Sequence, residues 1–333
     1  MPHENTAPKE SIALTNSLVK INRFLDRIFP LLVTLGVILG VSFQGFFSHL
    51  RVYVPFLFGL VTLSGALKLK IRELGATVSS PRPLIAYLLF SRILVPVMVF
   101  ALSRLVFGNA DVVTGFVLLY AIPTAVTSFI WVTVYGGNAA LALTLILLDT
   151  VLAPLISPAT VRFLLGSAVT LDMSGMIVSL FLMVVVPTII GVTLNETSKG
   201  KIPTVIAPFV APLSKLTMVV VIASNTSAVA SQLRLNNPFL WKVSSVCVAF
   251  IVVNFILART AARTAKLDRG QMVSFLFTSC LRNSAAAMTL AIRYFPEYAA
   301  LPAVLGIVLQ HNTSAVMGRI FFGKIGAGGT KAR

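Results

Sequence analysis

The sequence predicts an all-α polytopic membrane protein with ten transmembrane helices, and three observations predict it. The 333 residues are 57% hydrophobic and only 11% charged, with a mean hydropathy of +0.93, unlike a soluble domain. Apolar stretches of about 20 residues, enough to cross a ~30 Å hydrocarbon core as helix, recur along the chain. The basic residues lie in the short gaps between these stretches, with a strong bias to one side.

The elements follow in chain order. Residues 1–28 are polar and basic and read as a cytoplasmic or interfacial segment, with no cleavable signal legible. From Ser11 to Phe29, Ile12, Leu14, Leu18, Ile21, Phe24 and Leu25 alternate with Lys20, Arg23 and Arg27, the pattern of an amphipathic helix lying on a membrane surface. Spans follow at 29–47, 52–70, 84–106, 112–135, 138–163, 174–194, 207–229, 239–261, 271–293 and 300–322, and residues 323–333 form a tail. Pro123 interrupts the fourth span, and Pro154 and Pro158 break the end of the fifth. Proline removes a backbone donor, so these places free carbonyls that need a protein or aqueous partner.

Of the 27 Lys and Arg residues, eighteen lie at one set of span ends and six at the other. This positive-inside bias puts both termini in the cytoplasm, which an even span number allows; a bacterial inner membrane is the expected location. The remaining three, Arg92, Lys215 and Arg282, lie inside spans. The net charge of +17 is therefore a lipid-interface signal, and nucleic acid is not an expected partner. Cys247 and Cys280 sit within apolar spans without metal-ligand spacing and read as buried packing. No phosphate loop, GxSxG or HExxH is present. The chain reads as no enzyme, with no cofactor and no metal. Asn225-Thr-Ser227 has the form of a glycosylation sequon but falls at a span end.

Gly137-Asn-Ala-Ala-Leu-Ala-Leu143 opens the fifth span and Glu297-Tyr-Ala-Ala-Leu-Pro-Ala-Val-Leu305 opens the tenth, 160 residues later. Five spans per copy make the two halves, 29–163 and 174–322, inverted repeats, a common plan of secondary transporters.

Within these spans Ile122-Pro-Thr-Ala-Val-Thr-Ser-Phe-Ile-Trp-Val-Thr-Val-Tyr-Gly-Gly-Asn-Ala-Ala-Leu-Ala-Leu-Thr-Leu145, Leu152-Ala-Pro-Leu-Ile-Ser-Pro158, Leu281-Arg-Asn-Ser-Ala-Ala-Ala287 and Gln310-His-Asn312 resemble signatures of the bile acid:sodium symporter family. Leu57-Phe-Gly59 to Lys68-Leu-Lys70 resembles its second span and following loop. The resemblance covers nearly all of the chain past residue 29. It implies panel and core domains, with discontinuous fourth and ninth spans that cross. It also implies a small organic anion as cargo, such as a bile acid, a steroid sulfate or pantoate, usually carried with sodium.

The family's sodium ligands are mostly missing. Its Ser-Asn of span four is Ser128-Phe129 here. Its Ser and Thr of span five are Ala142 and Ile146, its Glu and Gln of span nine are Thr278 and Arg282, and its Gln of span three is Ser91, before Arg92. Sodium needs several hard oxygen donors, and a cation beside Arg282 is repelled in low dielectric. The usual two-sodium coupling is therefore expected to be absent, leaving proton-linked transport or uniport. A transport-deficient sensor or a passive channel on the same fold are the competing classes.

A guanidinium at mid-bilayer costs roughly 2.5–3.5 kcal/mol even on insertion scales, so Arg282 needs water, an anion or a carboxylate. Asp149, the acidic residue deep in span five, needs a partner too. Arg282 is the first expectation, with Arg92 and Lys215 as alternatives. Such a pair is either structural, filling the lost cation site, or a substrate and proton site. Asn283 caps a helix break or bonds cargo. Thr127 and Ser128 line the crossover or glue spans. His311 and Asn312 sit in span ten, the histidine as a satisfied donor or a proton relay. Lys215 and Arg92 snorkel to an interface or line the cavity.

Overall fold

Helices form where the apolar runs predict them, and their ends follow local chemistry. A computed structural model describes residues 9–67, 69, 81–166 and 172–323. In chain order the helices are α1 (Lys9–Ser42), α2 (Gln44–Ala66), α3 (Pro81–Val106), α4 (Ala110–Ala121), α5 (Ser128–Val134), α6 (Ala139–Leu165), α7 (Met173–Thr197), α8 (Lys201–Thr226), α9 (Pro238–Thr264), α10 (Arg269–Cys280), α11 (Ser284–Tyr294) and α12 (Glu297–Phe322). No strand occurs among the described residues. Seven of these helices, α2, α3, α6, α7, α8, α9 and α12, are long and apolar enough to cross a bilayer, and Leu31–Ser42 and α4 are shorter apolar helices. The chain is a polytopic helical membrane protein.

Helix starts carry legible caps. Asn109, Asn138, Asp172 and Asn237 each accept a first-turn N–H of α4, α6, α7 and α9. Asp268 and Gln271 close a reciprocal capping box at the start of α10, the arrangement that satisfies two otherwise unpaired donors.

Three boundaries depart from the sequence reading. The surface helix and the first span are one continuous α1, which runs through Pro30, Gly36 and Gly40 without ending. The turn between the first two spans comes at Phe43 rather than at 48–51. Residues Gln44–Leu50 are already helical, and the Ser48 and His49 side chains bond back to the Gly45 carbonyl at 2.8 and 2.6 Å. Pro154 and Pro158 do not break span five; both lie inside unbroken α6. The basic residues 68, 70 and 72 and the 324–333 tail lie outside the described residues.

Packing divides the helices into two groups. α1, α2, α7 and α8 pack on one another, while α3–α6 pack with α9–α12. Within the second group α4, α10 and α11 are buried almost all round. They enclose the point where α4 gives way to α5 and α10 to α11.

Candidate functional site

Pro123 excludes helical geometry at the residue before it, so Ile122 is extended at ψ 151° and α4 ends at Ala121. The chain becomes helical again at Ser128. The second break is shorter: α10 ends at Cys280, Leu281 is extended at ψ 105°, and the Asn283 side chain caps α11 by accepting from the Ala286 N–H at 3.2 Å. The breaks pair antiparallel at Thr124 and Arg282. The Ala125 N–H donates to the Leu281 carbonyl at 2.9 Å, and the Asn283 N–H to the Pro123 carbonyl at 3.0 Å. Thr124 Oγ1 adds a bond to Leu281 at 2.9 Å.

Gln310 on α12 completes this patch. Its Oε1 accepts from the Arg282 N–H at 3.2 Å and its Nε2 donates to the Arg282 carbonyl at 2.9 Å. A side-chain amide thus takes the place of a third strand, and the exposed edge of the second break is closed.

Two guanidinium groups close the first break. Arg92 Nε donates to Asp149 Oδ1 at 2.6 Å, Nη1 to the Ala121 carbonyl at 2.6 Å and Nη2 to the Asp149 carbonyl at 3.0 Å. Asp149 Oδ2 accepts the Thr124 N–H at 2.7 Å. Arg282 Nη2 donates to the Ser91 carbonyl at 2.9 Å, and Nη1 approaches the Ile122 carbonyl at 3.4 Å. Arg282 is 1% exposed, Arg92 6% and Asp149 0%. The positive heads sit at the negative, C-terminal end of α4.

The Ser91 carbonyl is free for a reason written in the sequence. Residues Leu89–Leu94 form a π-helical turn in which the Val95 N–H bonds the Phe90 carbonyl. In the same register the donor for Ser91 is residue 96, which is proline and has no N–H. Arg282 supplies the missing donor across helices.

The first-choice partner for Asp149 is therefore corrected. Arg92 holds the carboxylate, and Arg282 bonds carbonyls. Arg92, inside the π turn, reaches Asp149 on α6, while Arg282 reaches from the second break to the Ile122 and Ser91 carbonyls. Lys215 is in neither network; its Nζ donates to Asn22 Oδ1 at 2.6 Å, joining α8 to α1. Asn225 is also unavailable to a glycan, since it is buried and bonds Thr289 at 2.8 Å.

A cavity of about 10 Å³, bordered by Arg282, Gln310, Tyr120, Cys247 and Cys280, lies beside the patch. It has room for about one water. Arg282 Nε, Ser91 Oγ and Ser128 Oγ have no protein partner among the described residues.

The sequence profile described as the Sodium Bile acid symporter family matches residues 54–236. The uncharacterized protein YbaS of Bacillus subtilis is 34% identical over 87% of this chain and 95% of its own length.

The chain belongs to the sodium bile acid symporter family.

Two further relatives are more distant. An uncharacterized sodium-dependent transporter of Bacillus subtilis, YocS, is 21% identical over 92% of this chain and 94% of its own. A probable sodium/metabolite cotransporter of Arabidopsis thaliana chloroplasts, BASS1, is 23% identical over 88% of this chain and 73% of its own.

Of the positions that the resemblance gives to sodium ligands, Ser91 and Ser128 alone keep a side-chain oxygen without a partner among the described residues. Ala142 and Ile146 are fully buried with no side-chain donor atom. Thr278 turns its hydroxyl to the Ser274 carbonyl of its own helix at 2.7 Å. Phe129 packs against apolar neighbours. Thr127 precedes α5 and makes no capping bond. His311 Nδ1 accepts from Trp131 Nε1 at 3.3 Å, and exposed Asn312 bonds the Val308 carbonyl. No group of three or more His, Cys, Asp or Glu among the described residues is placed to hold a metal ion. The sequence reading missed Gln310 and Thr124 as crossover residues. An amide amid the apolar run of α12 was the available signal for the first; nothing local marked the second.

Proposed function

We propose that this chain is a secondary carrier of a small organic anion that does not use sodium in the family's usual way. One observation carries the reading: Arg92 and Arg282 donate to the carbonyls of Ala121, Ile122 and Ser91 around the positions that the family resemblance gives to sodium ligands. A permanently charged guanidinium then does by tether what a mobile ion does by binding. The fold proposed with it has ten spans in two inverted repeats, with both termini cytoplasmic. α1, α2, α7 and α8 form the panel; the remaining helices form the core. The helix grouping and the paired breaks support that arrangement. Asn283, Thr127, Ser128, His311 and Asn312 are the proposed cargo-facing residues, with Arg282 as their electrostatic anchor.

Flux of labelled carboxylates and sulfates into proteoliposomes tests this reading. Saturable exchange that persists when sodium is replaced by choline is the expected result. A strict sodium requirement sinks the coupling claim; linear flux indicates a channel, and binding without flux a sensor. Arg282→Gln removes two charge-assisted bonds, worth ~3 kcal/mol together, so uptake is expected to fall about 100-fold.

A further inference from the structure

Trp131 lies on α5 and His311 on α12, 180 residues apart in sequence. Their side chains meet, with the indole Nε1 3.3 Å from His311 Nδ1. The indole nitrogen is a donor and never an acceptor. Nδ1 must therefore be the bare nitrogen of the imidazole, and the ring proton sits on Nε2. A protonated ring would set two N–H groups against each other.

The indole is not free to turn away. It stacks on Phe277 with centroids 6.0 Å apart and planes at 11°, and on Tyr135 at 6.4 Å and 18°. Tyr135, the residue that follows α5, bonds the Ala315 carbonyl at 3.3 Å, a second tie to α12. Among the described residues His311 makes no other hydrogen bond; its side chain is part-exposed, and Nε2 is not among the buried polar atoms that lack a partner. Nε2 thus keeps a small accessible surface and is free to donate.

We infer that Trp131 is a positioning residue: it locks His311 in the neutral Nε2–H tautomer, so that the site offers an uncharged N–H donor to an acceptor oxygen of the cargo. The cargo part of this inference rests on the carrier reading above; the tautomer part does not. A neutral donor selects carboxylate or sulfonyl oxygens and rejects an ammonium or amide N–H at the same place. The positive charge of the site then comes from the arginines alone.

The chain has three histidines, so His3→Gln with His49→Gln leaves a single imidazole for nitrogen NMR. In the full-length protein in nanodiscs at pH 7, Nε2 is expected to give the protonated, pyrrole-type signal and Nδ1 the bare, pyridine-type signal. Adding Trp131→Phe, which keeps a ring against Phe277, is expected to give a mixture of tautomers. A protonated Nδ1 in the parent, an imidazolium at pH 7, or an unchanged tautomer in Trp131→Phe overturns the assignment. Pantoate is the carboxylate probe. A shift of the Nε2 signal supports the cargo contact, and pantoate flux with that signal unmoved overturns it. If pantoate is not carried, the failure belongs to the carrier reading, and the tautomer signals still decide the role of Trp131. His311→Gln, with an oxygen for Trp131 and an N–H for cargo, is expected to retain uptake that His311→Leu loses.

Discussion

At the residue scale, Arg92 and Asp149 form a buried pair in which both carboxylate oxygens and all three guanidinium nitrogens are engaged. Removing one member strands the other charge, at a cost of about 3–5 kcal/mol, whereas replacing both with apolar residues of similar size is often neutral. Arg92→Met and Asp149→Leu are each expected to lower the melting temperature in detergent markedly, and the double variant to recover only part of the loss, because the Thr124 N–H and the Ala121 carbonyl lose their partners too. Equal, additive losses would show that the two side chains act independently. The sequence made the need for a partner legible, because a carboxylate deep in an apolar span requires one. It did not reveal which arginine supplies it. That choice depends on the π turn at Leu89–Leu94, which rotates Arg92 relative to a regular helix, and no periodicity rule anticipates the rotation. Arg282 was legible as costly and central, but its real partners are backbone oxygens, which a sequence does not display.

At the scale of elements, the breaks are held by atoms from three other helices, α3, α6 and α12. Pro96 is the clearest case, since its missing N–H leaves the Ser91 carbonyl to Arg282. Pro96→Ala restores a competing donor. Slower exchange of labelled cargo, with little loss of thermal stability, is the expected result; an unchanged rate would mean that the proline does not tune Arg282. Gln310→Leu removes both bonds to the Arg282 backbone, costing about 1–3 kcal/mol for the groups left unpaired. Gln310→Glu keeps the acceptor and loses the donor, so its melting temperature should fall between those of wild type and Gln310→Leu. The break after α4 was readable from Pro123, because proline acts on the residue before it through sterics alone. The continuity of α6 through Pro154 and Pro158 was not readable, since packing decides whether a helix survives a lost bond. The caps at Asn109, Asn138, Asn237 and Asp268 were local and therefore written in the chain.

At the scale of the whole molecule, polytopic character followed from hydropathy, and the family from motifs spread over both halves. The packing of α1 against α8 was less visible. There Gly40 lets the two backbones approach so closely that an added Cβ would lie 2.4 Å from the Ala223 carbonyl. Gly40→Leu should therefore separate these helices and lower stability, read as a lower melting temperature, while leaving the crossover bonds intact. Permanent side-chain cations also have an energetic corollary for the carrier proposed above. A positive group that never leaves the protein contributes no charge to each turnover, so an anion crossing alone moves its full valence through the field. For a monoanion facing 100 mV, negative inside, that amounts to about 2.3 kcal/mol, or about fifty-fold in the resting concentration ratio. Unless a proton travels along, voltage favours release of the cargo from the cell over its accumulation.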